Sequence, residues 1–130
     1  MAHYLDTSAL VTLVAAERET PALRRWLRGP GRVAITSDLA RTELIRAVRR
    51  VEPEATADAR RALDALTVIT LTTSTFERAA TLTPAMLRSL DALHLASALA
   101  LGDDPDGLVT YDERLAATAT EHGIAVLAPS

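Results

Sequence analysis

Four acidic side chains occupy positions where a solvent-seeking carboxylate is out of place. Asp6 and Asp112 each close a short apolar run, and Glu43 and Asp91 interrupt apolar stripes of helical period. A carboxylate is costly to bury without a partner, and the chain of 130 residues contains no lysine to provide one. Brought together, the four would repel and raise one another's pKa unless a cation lay between them. The chemistry such a donor set suits is the holding of a hard divalent cation by oxygen ligands. The absence of cysteine removes thiolate-bound zinc, thiol catalysis and disulfides together.

The elements that must position these acids alternate between β-like and helical segments, with no linker or repeat dividing them. Residues 3–5 predict a first strand, and a helix over 7–16 follows with Asp6 at the junction. Thr20 is expected to cap a second helix with Pro21 at its first position, ending before Gly29-Pro30-Gly31. A strand over 32–36 leads to Ser37 as the expected cap of the helix carrying Glu43, and residues 54–65 predict a further helix after Pro53. Residues 68–71 predict a buried strand, and Ser74 to Glu77 has the pattern of a capping box. Ser89 is the expected cap of the helix carrying Asp91. A strand over 108–110, a helix over 113–122 stopped by Gly123, and a strand over 125–127 complete the chain. Strands separated by helices imply one α/β domain over residues 1–130, with a central parallel sheet of about five strands flanked by helices.

That topology predicts where the acids meet. In open parallel sheets ligands bind beyond the carboxyl ends of the strands, which is where Asp6 and Asp112 fall. Glu43 shares a helical stripe with Ala40, Leu44, Ala47, Val48 and Val51, and Asp91 lies in a first turn on one face with Leu95, Ala98 and Leu99. Each acid alone has an ordinary explanation: Asp6 and Asp112 as helix N-caps, Asp91 as a first-turn acid, Glu43 as a partner of Arg46 or Arg50. Four independent structural acids have no reason to fall at two strand ends and two inner helix faces, so their joint placement predicts a site. His94, one turn beyond Asp91, is expected to be packed and hydrogen-bonded rather than a ligand. The acidic run at 103–107 lacks the length and closing Glu of an EF-hand loop and reads as a solvated turn.

The strings around these residues resemble the PIN-domain family: Tyr4 to Leu10 (YLDTSAL), Ser89 to Ala96 (SLDALHLA) and Leu108 to Leu115 (LVTYDERL), with Glu43-Leu44 between them. Within that family the chain is most similar to VapC-type toxins of bacterial toxin-antitoxin pairs, over nearly its whole length. The resemblance implies an Mg²⁺- or Mn²⁺-dependent endoribonuclease whose acidic quartet is Asp6, Glu43, Asp91 and Asp112, leaving a 5′-phosphate and a 3′-hydroxyl. Asp6 and Asp91 are expected to ligate directly. Glu43 and Asp112 would bind directly, through water, or by orienting the attacking water, with Thr7, Ser8 and Thr110 as candidate supports. The resemblance also implies a cognate VapB-like antitoxin, an RNA substrate and a homodimer.

Charge and composition are compatible with this. The net charge of −3 argues against blanket electrostatic binding of nucleic acid, yet all 14 basic residues are arginine and several cluster, at Arg24, Arg25 and Arg28 and at Arg46, Arg49, Arg50, Arg60 and Arg61. Most are expected in solvated surface pairs, with a few near the acids sufficing to steer RNA. Asp6 breaks the first apolar run, so no export signal is expected, and no apolar stretch approaches the roughly 20 residues of a membrane span. A cytoplasmic protein with no membrane partner is expected. Receiver domains and haloacid-dehalogenase-like phosphatases also use an N-terminal Asp, but they need a lysine, and no Gly-Lys-Ser/Thr string permits a P-loop. The alternative of another class is a non-catalytic PIN-like module that binds RNA or an antitoxin.

Overall fold

The structure is a computed structural model that describes residues 2–102 and 106–130. Five short strands, β1 (Ala2–Leu5), β2 (Val33–Ser37), β3 (Thr67–Ile69), β4 (Gly107–Val109) and β5 (Val126–Leu127), form one sheet in the order β3-β2-β1-β4-β5. Every neighbouring pair is parallel. The helices are α1 (Thr7–Val14), α2 (Thr20–Leu27), α3 (Ala40–Val51), α4 (Thr56–Ala65), α5 (Thr73–Thr81), α6 (Ser89–Leu99) and α7 (Glu113–Glu121), with a 3₁₀ turn at Pro53–Ala55 before α4. The predicted α/β class with a five-stranded parallel sheet is therefore what the chain adopts. The expected turn at 103–107 lies largely outside the described residues.

Strand periodicity explains the two-sided core. Tyr4 is in register with Ile35 and Leu108, whereas Leu5 is in register with Val109, and side chains alternate between faces along each strand. Tyr4, Ile35 and Leu108 accordingly pack with Leu95 and Ala98 of α6 and Leu115 and Ala119 of α7. On the opposite face Leu5 and Val109 pack with Leu10 of α1, Leu23 of α2, Leu44 and Val48 of α3, and Leu63 of α4. The chain runs outward from β1 through β2 to β3, then crosses back to place β4 on the other side of β1. The crevice between the carboxyl ends of β1 and β4 is thus the switch point at which such sheets bind ligands.

Several expected helix starts shift. Thr20 lies inside α2 and Glu19 precedes it, because the Thr20 hydroxyl is drawn to the carbonyls of Thr12 and Ala15 (2.6 and 2.9 Å) and accepts from the Glu17 N–H at 3.0 Å. Ser37 ends β2 rather than capping α3, since it pairs in register with Ile69 and its hydroxyl is bonded to that of Tyr4. At α5 the cap is Thr72, whose hydroxyl accepts from Thr75 N–H at 3.2 Å, so Ser74 falls within the helix. Ser89 is likewise the first residue of α6, after Arg88. On α3 the buried stripe is Ala40, Leu44 and Val48, while Val51 at the helix end is 62% exposed.

Gly107 is the tightest point of the β4–β5 edge. A Cβ added there would collide with Leu127 Cδ1 and stand 3.0 Å from the Ala125 carbonyl oxygen. Leu127 can turn aside, but the carbonyl belongs to the backbone paired with β4. Gly107→Ala is expected to destabilise the protein by about 1–3 kcal/mol, the usual cost of overpacking, read as a lower denaturant midpoint at unchanged slope. Among the described residues no helix is long and apolar enough to cross a membrane.

Candidate active site

Asp6 follows β1 directly and caps α1, its extended backbone (φ −80°, ψ 178°) turning the chain from strand to helix. It is 3% exposed. Oδ1 accepts from the Ala9 N–H at 3.0 Å and the Ser8 hydroxyl at 2.7 Å, and Oδ2 accepts from the Thr110 hydroxyl at 2.6 Å. A carboxylate oxygen has two acceptor positions. Oδ1 is therefore filled, and Oδ2 keeps one position open. Burial pushes the Asp6 pKa up, against the three hydrogen bonds, which pull it down.

Asp112 does the same work after β4. It caps α7 through Oδ1, which accepts from the N–H groups of Arg114 (2.9 Å) and Leu115 (3.3 Å). Its own N–H donates to Thr110 Oγ1 at 3.0 Å, so one hydroxyl ties Asp112 to Asp6 across the switch point. Ser8 adds a second tie, accepting from the Tyr111 N–H at 2.9 Å while donating to Asp6. The capping explanation holds for both acids: each carboxylate starts the helix that follows it.

Asp91 lies in the first turn of α6, half-buried. Its pKa is raised first by burial and then by the negative charges of Asp112 and Asp6, against the pull of Arg88 and His94. The repulsion expected among assembled carboxylates is thus present at Asp91. Glu43 differs. It pairs with His94, not with Arg46 or Arg50: Oε1 lies 2.7 Å from His94 Nε2 and accepts from the Thr7 hydroxyl at 3.0 Å. Burial alone would raise the Glu43 pKa, but the hydrogen bond and charge of His94, with Thr7, outweigh it and lower the value. His94 is packed and hydrogen-bonded as expected, and what the sequence did not reveal is that its partner is Glu43.

The charges of Asp112 and Asp6 act on Asp91, and Glu43 is tied to His94, yet among the described residues no three acidic or histidine side chains lie close enough to enclose an ion directly. The donor chemistry nonetheless fits a hard divalent cation. An acceptor position stays open at Asp6 Oδ2, the bonds to Glu43 gather on Oε1 and leave Oε2 for a ligand, and the charges of Asp112 and Asp6 bear on Asp91. A small hydrated cation such as Mg²⁺ keeps several waters and binds through one or two carboxylates, which suits a loose arrangement.

The raised Asp6 pKa has a consequence of definite sign. A carboxyl whose folded pKa exceeds its unfolded pKa subtracts stability as pH rises from the unfolded value through the folded one, and the loss is complete above it. Metal-free wild type is expected to lose stability relative to Asp6→Asn across that window, since Glu43 is not acted on by Asp6 and removing the Asp6 charge only lessens the rise at Asp91, which has the same sign. Chemical unfolding at stepped pH measures this, and a pH-independent difference would refute it.

Comparison with known proteins agrees with the fold. The PIN domain family matches residues 3–121, and the chain belongs to that family. It is 45% identical to Ribonuclease VapC47 of Mycobacterium tuberculosis over an alignment covering 97% of this chain and 96% of that protein. Among solved structures, VapC20 of Mycobacterium tuberculosis, described as a sarcin-ricin-loop-cleaving toxin, superposes with a TM-score of 0.76 at 20% identity, covering 98% of this chain and 99% of that one. A chain of a toxin-antitoxin complex from Klebsiella pneumoniae gives 0.70 at 24% identity, with 98% of each chain covered. These two share the fold.

Proposed function

We propose that the protein is a VapC-like endoribonuclease toxin, a single PIN-like domain over residues 1–130 that hydrolyses RNA phosphodiester bonds with Mg²⁺ or Mn²⁺ and is neutralised by a cognate VapB-like antitoxin. The observation that carries this is the convergence of Asp6 and Asp112 at the switch point, bridged by Thr110, with Asp91 repelled by both and Glu43 held beside them. The cation would be held by Asp6 and Asp91, with Glu43 and Asp112 binding directly or through water. When bound it supplies charge that offsets the scissile phosphate and acidifies an attacking water. The protein's part is to orient. Ser8, Thr110 and Ala9 fix the Asp6 carboxylate, and Glu43 presents its second oxygen to the water that displaces the 3′-oxygen in line, leaving a 5′-phosphate and a 3′-hydroxyl.

RNA has a ready approach. A groove of about 690 Å³ begins at Thr7 and Glu43 and runs along α3 past Arg46 and Arg50, with Phe76, Leu71 and Leu90 on its other wall. Glu43, Arg46 and Arg50 are spaced three and four residues apart on one helix face. Both arginines are exposed, and the one Arg–carboxylate pair among the described residues joins Arg61 to Asp58 instead. Two guanidinium forks leading away from the acids suit phosphates flanking the scissile bond. A homodimer and a cytoplasmic location, where an RNA target is met, complete the reading.

Purified protein is expected to cleave RNA only with Mg²⁺ or Mn²⁺, to stop on chelation, and to leave 5′-phosphate ends. Arg46→Ala and Arg50→Ala should each raise KM and flatten the salt dependence by about one phosphate contact. Cleavage indifferent to chelator would rule out the metal-dependent assignment, and full RNA binding without cleavage would favour the non-catalytic alternative.

A further inference from the structure

We infer that His94 is a positioning residue, whose Nε2–H holds the Glu43 carboxylate while the Tyr4 hydroxyl fixes the imidazole ring. The inference rests on the reading of Glu43 as part of the metal site.

His94 is 2% exposed and joins parts of the chain that are remote in sequence. Nδ1 lies 2.8 Å from the hydroxyl of Tyr4 in β1; Nε2 lies 2.7 Å from Glu43 Oε1 in α3 and 3.3 Å from Thr7 Oγ1 in α1. The Tyr4 hydroxyl is in turn 2.9 Å from Ser37 Oγ at the end of β2. An ionised carboxylate only accepts hydrogen bonds, so the short contact to Glu43 Oε1 requires a proton on Nε2. Tyr4 keeps its own proton, since burial pushes its pKa up to about 12. That proton points either to Nδ1 or to Ser37, and in both arrangements Nε2 remains the donor to Glu43. The role does not depend on which arrangement holds.

The geometry divides the two oxygens of Glu43. Oε1 receives both His94 and Thr7, which leaves Oε2 for a cation or an attacking water. A glutamate with three side-chain torsions, half-buried at the start of a helix, would otherwise distribute over rotamers and lose that order. Partners standing behind a metal-binding carboxylate set its orientation in this way.

Three measurements test this. In ¹⁵N-labelled, metal-free wild type, the two-bond ¹H–¹⁵N spectrum of His94 is expected to show a protonated Nε2, and a bare Nε2 would overturn the inference without any variant. His94→Leu fills the volume but donates nothing, whereas the amide of His94→Gln reaches the Nε2 position. Leu is expected to lower kcat by about 10–100-fold with KM for RNA unchanged, and to weaken Mn²⁺ binding in a direct electron-spin titration by a similar factor; Gln should recover most of both. Equal losses in Leu and Gln variants of equal thermal stability, or no loss in Leu, would contradict the positioning role. If wild type shows no metal-dependent cleavage, the nuclease reading fails, while the imidazole spectrum still decides the state of the His94–Glu43 bond.

Discussion

Replacing Asp6 with asparagine is expected to lower RNA cleavage by about three orders of magnitude, equivalent to about 4 kcal/mol of transition-state stabilisation. The amide side chain would keep the shape of the carboxylate, the acceptor for the Ala9 N–H and the start of α1, so the fold should survive. What it loses is the negative charge at the carboxyl end of β1, beside the switch point. The same substitution should remove stabilisation by metal. Wild type at a Mn²⁺ concentration about 100-fold above its dissociation constant gains about 2.7 kcal/mol, visible as a higher melting temperature. Asp6→Asn should gain much less. A variant that folds, keeps the Mn²⁺ shift and still cleaves would place the metal elsewhere.

Thr110→Val is expected to produce the next largest effect, through a residue that is not one of the four acids. The Thr110 hydroxyl donates to Asp6 Oδ2 at 2.6 Å, accepts from the Asp112 N–H at 3.0 Å and lies 3.2 Å from Ser8 Oγ. Valine has nearly the same shape and none of these bonds. It leaves a buried carboxylate oxygen and a backbone N–H without partners, at a cost of about 1–3 kcal/mol or more for the charged group. Cleavage should fall by about 10–100-fold as Asp6 and Asp112 lose their common tether. Thr110→Ser, which restores the hydroxyl, is the control: it should recover activity even if the missing methyl costs some stability. Equal activity in the Val and Ser variants would show that the tether is dispensable.

The parts of this site legible in the sequence are those set by local rules. Asp6 and Asp112 stand at strand-to-helix junctions, where a short apolar run meets a helical period, and both are found as caps of the helices that follow. The sheet and its crevice follow from the alternation of elements, since parallel strands require crossover helices. The hydroxyl assignments were less legible, because a Ser or Thr near a helix start has several acceptors and donors within reach. Ser37 is the clearest case: it is extended by its pairing beside β3, and its hydroxyl is engaged by Tyr4, 33 residues away. His94 was illegible for the same reason. Its partners lie 90, 87 and 51 residues away, and only the completed sheet brings Tyr4, Thr7 and Glu43 to it. The alternative explanation of Glu43, a pairing with Arg46 or Arg50, rested on helix spacing alone and lost to this tertiary contact. Those arginines are thereby left available along the groove.

The proposed activity stands or falls on one divalent cation site built from Asp6, Glu43, Asp91 and Asp112. Anomalous diffraction from crystals of the wild-type protein soaked in Mn²⁺ tests it most directly. A manganese peak is expected at the carboxyl ends of β1 and β4, contacting Asp6 and Asp91 and reaching Glu43 and Asp112 directly or through water, and absent from Asp6→Asn crystals soaked alike. A peak at another group of acids, or none in a protein that still cleaves RNA, would contradict it.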